Sequence, residues 1–319
     1  MRKVEGEAKN IRTLLSNVRF YIDYYQRDYK WQTKHVNELL NDLTEKFLGS
    51  YDPKDDRSEI QNYDNYFLGS IILCEKNKIK YIIDGQQRLT TLTLLLIYLR
   101  HREPHEDQRA KLLNLIYSDV YSKKSFNVDV EERNPFIKSI LDGEDIDTND
   151  KPESIRNIIA RYKDIEKLFS DEINDDAITF FSDWLIENVY LVEITAHTDE
   201  DAYIIFETMN DRGLSLNPLE MLKGYLLTNI TDKEKRNYAT DEWKKIIEKV
   251  KNLGKDEDAD AIKAWLRSQY ADSIRERKRR AVPLDFDKIG TEFHRWLKDK
   301  HGRLGLNKSD NFYDFINKD

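Results

Sequence analysis

Apolar residues recur with a helical period after Thr33: Val36, Leu39, Leu40, Leu43 and Phe47 share one stripe, which predicts a helix capped by Thr33. Residues 49–65, polar with Pro53 and many acids, predict a loop. Two apolar runs follow at 66–74 and 79–83, and the charged turn 75–78 between them predicts an antiparallel hairpin. The second run stops at Asp84-Gly85 and gives way within four residues to a Leu-rich helix over 89–102 that ends near Pro104. Further on, the pattern predicts a helix at 107–121, a mostly polar loop over 123–152, helices at 153–170 and 175–188, a strand at 190–195 and a helix at 199–210. Asn217-Pro218 supplies a cap and a first-turn proline for the next helix. Beyond 228 the chain reads as helical, with Trp243, Ile246, Ile247 and Val250 on one stripe and Ala261, Trp265 and Leu266 on another. Residues 312–316 are aromatic and apolar where a free tail would be polar, which predicts a junction to another domain.

The junction at 81–92, Tyr-Ile-Ile-Asp-Gly-Gln-Gln-Arg-Leu-Thr-Thr-Leu, carries the densest candidate chemistry. The first amides of a helix have no intrahelical acceptor and sit at the positive end of its dipole, so a strand-turn-helix junction can cradle a phosphate. Gly85 permits a close approach, Arg88 can fork onto phosphate oxygens, and Asp84 can hold a hydrated Mg2+ that bridges them. Gln86 and Gln87 offer amides to orient a water or read a base. A purely structural reading stands beside this one: Asp84 caps the helix and Arg88 pairs with it.

Other segments extend the pattern. Tyr24-Tyr25-Gln26-Arg27-Asp28-Tyr29-Lys30-Trp31 lies upstream, Phe67-Leu68-Gly69-Ser70-Ile71-Ile72-Leu73 directly precedes the junction, and 206–216, Phe-Glu-Thr-Met-Asn-Asp-Arg-Gly-Leu-Ser-Leu, follows much later. In this order, from Thr13 to Leu227, the four motifs resemble the N-terminal domain family of GmrSD-type restriction endonucleases. Two positions depart from the family pattern: Asp23 or Tyr24 replaces a proline before Tyr-Gln-Arg, and Glu220 stands where an Asp is common.

The resemblance implies an α+β fold, with a small ParB/sulfiredoxin-like mixed sheet and helices followed by a mostly helical C-terminal region. It implies a nucleotide-binding domain over 1–228 with a helical insertion at 105–188, and a helical region over 229–319 leading toward a nuclease domain. The implied function is an NTP-binding and NTP-hydrolysing sensor module of a modification-dependent restriction system, with a non-catalytic ParB-like switch or a protein scaffold as alternatives. Asp84, Gln86 and Gln87 are the candidate catalytic residues and Asp84 the candidate Mg2+ ligand. Gly85, Arg88, Thr90, Gln26, Arg27, Asn210 and Arg212 are the candidate nucleotide-binding residues. The implied partners are NTP, modified or unmodified DNA and an HNH-type nuclease domain or subunit, while self-association stays open.

Composition narrows the classes. With 319 residues, 39% hydrophobic and 35% charged, and only 11 Gly and 6 Pro, the chain is long enough for a sizeable core and reads as globular and helix-rich. No apolar run approaches the roughly 20 residues needed to span a bilayer, and the first residues lack a secretion signal, so the expected compartment is the cytoplasm. The single cysteine, Cys74, excludes an internal disulfide. A net charge of -8 argues against coating DNA through bulk electrostatics, although the basic cluster at Arg275, Arg277, Lys278, Arg279 and Arg280 reads either as a backbone-contacting edge or as a solvated helix end.

The remaining motifs exclude more than they add. Tyr25-Gln26-Arg27 combines a stacking ring, an amide and a guanidinium, while Tyr25 and Trp31 read as core aromatics and Arg27 alternatively as the partner of an acid. Asn210, Asp211 and Arg212 read either as phosphate contacts or, with Glu207, as a capped helix end. His101 and His105 are separated by Pro104 and form no ligand pair. His294 and His301 lack the setting of an HNH site, and no Gly-x-x-x-x-Gly-Lys run occurs. Sulfiredoxin chemistry would need a cysteine in the turn that here holds Gln86 and Gln87.

Overall fold

A computed structural model describes residues 5–22, 29–120, 123–210, 218–251, 257–275 and 282–317. They fall into two compact units, the first holding the described residues up to 207 and the second those from 208 onward.

Unit 1 is mixed α and β. Its elements in chain order are β1 (Glu5–Asn10), α1 (Ile11–Leu15), β2 (Phe20–Ile22), α2 (Thr33–Leu48), β3 (Tyr66–Lys76), β4 (Ile79–Asp84), α3 (Gln86–Arg102) and α4 (Glu106–Ile116). They continue with β5 (Tyr117–Val120), β6 (Lys123–Phe126), β7 (Val128–Asp129), α5 (Asn134–Asp142), α6 (Glu153–Leu168), α7 (Ile178–Asn188), β8 (Val189–Ala196) and α8 (Asp199–Asn210). Six strands form one sheet in the order β1-β8-β3-β4-β2-β7, and β5 pairs with β6 in a separate hairpin. The β3–β4 and β1–β8 pairs are antiparallel, whereas β3–β8, β2–β4 and β2–β7 are parallel.

Strand alternation sorts the sheet into two faces. Phe20, Ile22, Ile71, Leu73, Ile82 and Leu191 enter the main core, while Tyr21 and its register partner Tyr81 lie side by side on the other face, ring centroids 6.0 Å apart. Against the core face lies α3, whose residues from Leu89 to Leu99 are all buried. A helix that is apolar on every side belongs in the middle of a domain, which is how this aliphatic run is used. Its threonines fit because Thr91 and Thr93 donate their hydroxyls to the carbonyls of Gln87 and Leu89, each at 2.9 Å. No described helix is long and apolar enough to cross a membrane.

Several expectations are corrected. Residues 123–152 are not mainly loop: they contain β6, β7 and α5, and Phe126, Val128 and Val130 alternate into the core. That period-2 signal is short and flanked by charges, which hid it. The segment 105–188 is therefore not purely helical, and β7 joins the main sheet beside β2. Buried Asn127 locks it there by donating to the carbonyls of Leu15 at 2.8 Å and Asn114 at 3.1 Å, while its own carbonyl accepts from Phe20 N at 2.7 Å. The helix expected to reach 121 stops at Ile116, where the chain turns into β5. Gln32, not Thr33, occupies the cap position of α2, and its N–H donates to His35 Nδ1 at 3.0 Å.

Unit 2 is helical, with α9 (Pro218–Thr228), α10 (Lys233–Lys251), α11 (Glu257–Tyr270), α12 (Asp285–Asp299) and α13 (Ser309–Ile316). Leu222, Leu226, Trp243, Leu266, Phe293, Trp296, Phe312 and Phe315 form its core. The aromatic residues 312–316 thus fill unit 2 itself, and α9 packs there as well. On α10, Trp243 and Ile247 face that core as their period implied, but Ile246 is exposed.

Candidate functional site

The site begins where β4 delivers the chain to α3. Gly85 is the N-cap of α3 at φ +95°, a backbone state that side chains rarely adopt. A Cβ placed there would lie 2.5 Å from Ile71 Cγ2 on β3. The turn therefore needs glycine for two reasons, the dihedral and the close approach of the neighbouring strand. No side chain among the described residues caps α3, and Gly85 O accepts the first helical bond from Leu89 N at 3.0 Å. The capping half of the structural reading is absent here.

The pairing half is present but loose. Arg88 Nη2 lies 3.4 Å from Asp84 Oδ2, and Nη1 lies 3.4 Å from the carbonyl of Leu68. Both contacts are long for charge-assisted bonds, which usually fall at about 2.7–2.9 Å. Burial raises the Asp84 carboxyl above its ordinary value, and the nearby Arg88 charge and the Gly85 N–H offset this only in part. Beneath the guanidinium, β3 carries an irregularity between Phe67 and Gly69, and Gly69 adopts φ +111°. Arg88 Nη1 occupies the space that a Cβ on Gly69 would need. Gly69 is a site residue that motif reading passed over, although an isolated glycine inside a strand signals a bulge or a close approach.

The two glutamines have separate surroundings. Gln87 Oε1 accepts from the backbone N–H groups of Lys30 at 2.9 Å and Trp31 at 3.3 Å. Gln86 Oε1 is buried with no hydrogen-bond partner among the described residues. Gln87 thus holds a neighbouring segment by its oxygen, and the unmet acceptor belongs to Gln86. The segment 29–31 is further fixed by Ser154, which accepts from Tyr29 N at 2.9 Å, and by Asn157 and Arg161, which donate to the carbonyls of Tyr29 and Trp31. Tyr29 OH lies 2.8 Å from Thr91 Oγ1, and burial pushes this phenol up to about 12, so it is a neutral core hydroxyl. Thr90, proposed from sequence as a ligand contact, is 2% exposed and accepts from the buried Arg133 at 3.3 Å. Its hydroxyl is engaged inside the core, not at the open start of α3.

The GmrSD restriction endonuclease N-terminal domain family matches residues 11–227, well over half of the chain. The chain belongs to that family. No curated protein matches it. The GmrSD match covers every candidate residue, including those beyond the described structure: Gln26, Arg27 and Arg212 lie outside the described residues, as does the side chain of Asn210. In this GmrSD chain, Asp84, Gly85, Gln86 and Arg88 come together at one helix start, with Gly69 added by the bulge. His101 is an exposed residue tied down by hydrogen bonds, its ring nitrogens 2.9 Å from Tyr162 OH and 3.0 Å from the carbonyl of Leu141. No group of three or more metal-ligating side chains occurs among the described residues, and of the basic cluster only Arg275, which is exposed, lies within them.

Proposed function

We propose that this GmrSD-family chain is the nucleotide-responsive module of a DNA restriction system, and that the nucleoside triphosphate binds at the start of α3. One observation carries the reading: among the described residues, the helix N-terminus has no side-chain cap and the arginine beside it is held only by long contacts. The first-turn amides and Arg88 would take the phosphates. A single carboxylate at Asp84 suits Mg2+, which commonly uses one or two carboxylates and completes its shell with water and phosphate oxygens. Bound there, the ion would supply charge neutralisation for the phosphates. Gln86 would place its free oxygen on a water or on the base. Positioning and charge stabilisation of this kind are what phosphoryl transfer requires of a protein. Nucleotide binding would then bias the module toward a state that licenses a nuclease acting on DNA, modified or not.

The test is phosphate release from each NTP with Mg2+, with and without modified duplex DNA, comparing the wild type with Arg88→Ala. Turnover that falls by about two orders of magnitude in the variant supports the reading. Nucleotide binding without turnover would leave a non-catalytic switch, and no nucleotide binding by the wild type would overturn the proposal.

A further inference from the structure

Unit 1 contains a second concavity of about 640 Å3 along the β2–β7 edge, with no residue of β4 or α3 in its wall. Its volume lies within the usual range of small-molecule sites. Arg19 is the best-placed donor in it. The guanidinium is held on two sides, with Nε 2.9 Å from Asp129 Oδ2 and Cζ 5.4 Å from the centre of the Tyr21 ring. The Nε–H does not point along the line to that oxygen, so the contact is an ion pair without a formed hydrogen bond. The two terminal nitrogens of Arg19 make no hydrogen bond with any described residue, which leaves a planar, oriented fork in the wall of the concavity.

A second, independent observation also points to a ligand. Ser125 is only 7% exposed, lines the same concavity, and its hydroxyl has no partner among the described residues. A buried hydroxyl without a partner is unfavourable, so a bound group or water must answer it. The apolar part of the wall includes Tyr117 and Phe126, whose rings meet edge to face at 5.0 Å. Charge decides what such a wall accepts: Arg19 and Lys138 are balanced by Asp129 and Glu131, so an anion gains no net attraction.

We propose that this concavity binds an uncharged planar heteroaromatic ring with two adjacent hydrogen-bond acceptors on one edge, of which guanine is the biological instance. The Arg19 fork would donate to both acceptors, as arginine does to guanine O6 and N7. Tyr117, backed by the buried Phe126, supplies the aromatic surface that receives the ring, and Ser125 Oγ gains its missing partner. The base arrives either as a free nucleoside or as an unpaired guanine in a DNA strand.

The proposal is tested on the full chain by equilibrium dialysis with guanosine, adenosine and a short single strand with or without one guanine. Guanosine binds, adenosine is weaker by about tenfold or more, and Arg19→Lys loses the same factor, because lysine keeps the charge beside Asp129 but not the fork. Ser125→Ala also weakens guanosine, which ties the binding to this concavity and separates it from the start of α3. Competition between guanosine and only the guanine-containing strand identifies a base in DNA as the source, and guanosine binding without such competition identifies the free nucleoside. Adenosine binding that Arg19→Lys weakens as much as guanosine binding, unchanged guanosine binding in Arg19→Lys, or no binding of any probe at millimolar concentration would each overturn the proposal.

Discussion

Asp84 in unit 1, partly buried, and Asp285 in unit 2, buried, are both carboxylates at the start of a helix, yet their surroundings drive them in opposite directions. Burial raises Asp84, and its one cationic neighbour, Arg88, stands off at 3.4 Å. Burial also pushes Asp285 up, but hydrogen bonds from Trp296 Nε1 and Arg303 Nη1, each at 2.8 Å, and from Ser273 outweigh it and hold the group at about 2. The contrast separates a candidate site from a staple. Unit 2 answers its buried charge from within, whereas unit 1 leaves a carboxylate, an arginine and a Gln86 oxygen incompletely answered at one helix start.

The largest effect is expected at the turn that builds the unit 1 site. Gly85→Ala forces a side chain into the left-handed region and against Ile71 Cγ2, so unfolding in urea should show a loss of about 3 kcal/mol. Gly143→Ala, at φ +73° with nothing within 4 Å, isolates the dihedral term at about 1 kcal/mol. Equal losses in the two variants would show that Ile71 does not shape the turn.

Asp285 comes next. Its folded value lies below the unfolded one, so its stabilisation of about 2 kcal/mol is fully present above pH about 4 and disappears as pH falls through about 2. Asp285→Ala should be less stable than wild type by that amount at neutral pH, with the gap closing in acid. A gap independent of pH would mean that the charge is not what stabilises unit 2.

Gly69→Ala is smaller for stability, about 1 kcal/mol, but it takes the space used by Arg88. NTP affinity should drop by about tenfold, measured by titration calorimetry. Unchanged affinity would remove the bulge from the site. The smallest change in stability is expected for Asp84→Asn. The raised folded value means that ionised Asp84 opposes folding once pH rises above the ordinary carboxylate range, so the variant should melt no lower than wild type at neutral pH. Mg2+-dependent turnover should be lost all the same. A clearly lower melting temperature would make Asp84 a second staple and erase the contrast with Asp285.

The parts of the fold legible from sequence were those with a long local period. The hairpin of β3 and β4, the aliphatic α3 and the amphipathic α2 announce themselves over ten or more residues, and the Asp84-Gly85 break marks the site between two such signals. Strands β2 and β7 are three and two residues long and exist because neighbouring strands pair with them, so their local pattern is too short to reveal them. Thr90 shows the same limit at the site. Its type and spacing suit a ligand contact, but the buried Arg133 that claims its hydroxyl lies 43 residues away.

Sequence alone determined the strand-glycine-helix junction, the family, and the absence of a disulfide within residues 1–319, because each depends on neighbouring residues or on composition. Tertiary structure decided which junction residues remain open to a ligand. Gln87 is engaged by the backbone of Lys30 and Trp31, Arg88 rests on the bulge at Gly69, and Asp84 is perturbed by the burial around it. Hydrogen bonding and desolvation are set by groups brought close in space from distant positions, and the order of residues along the chain does not contain that proximity.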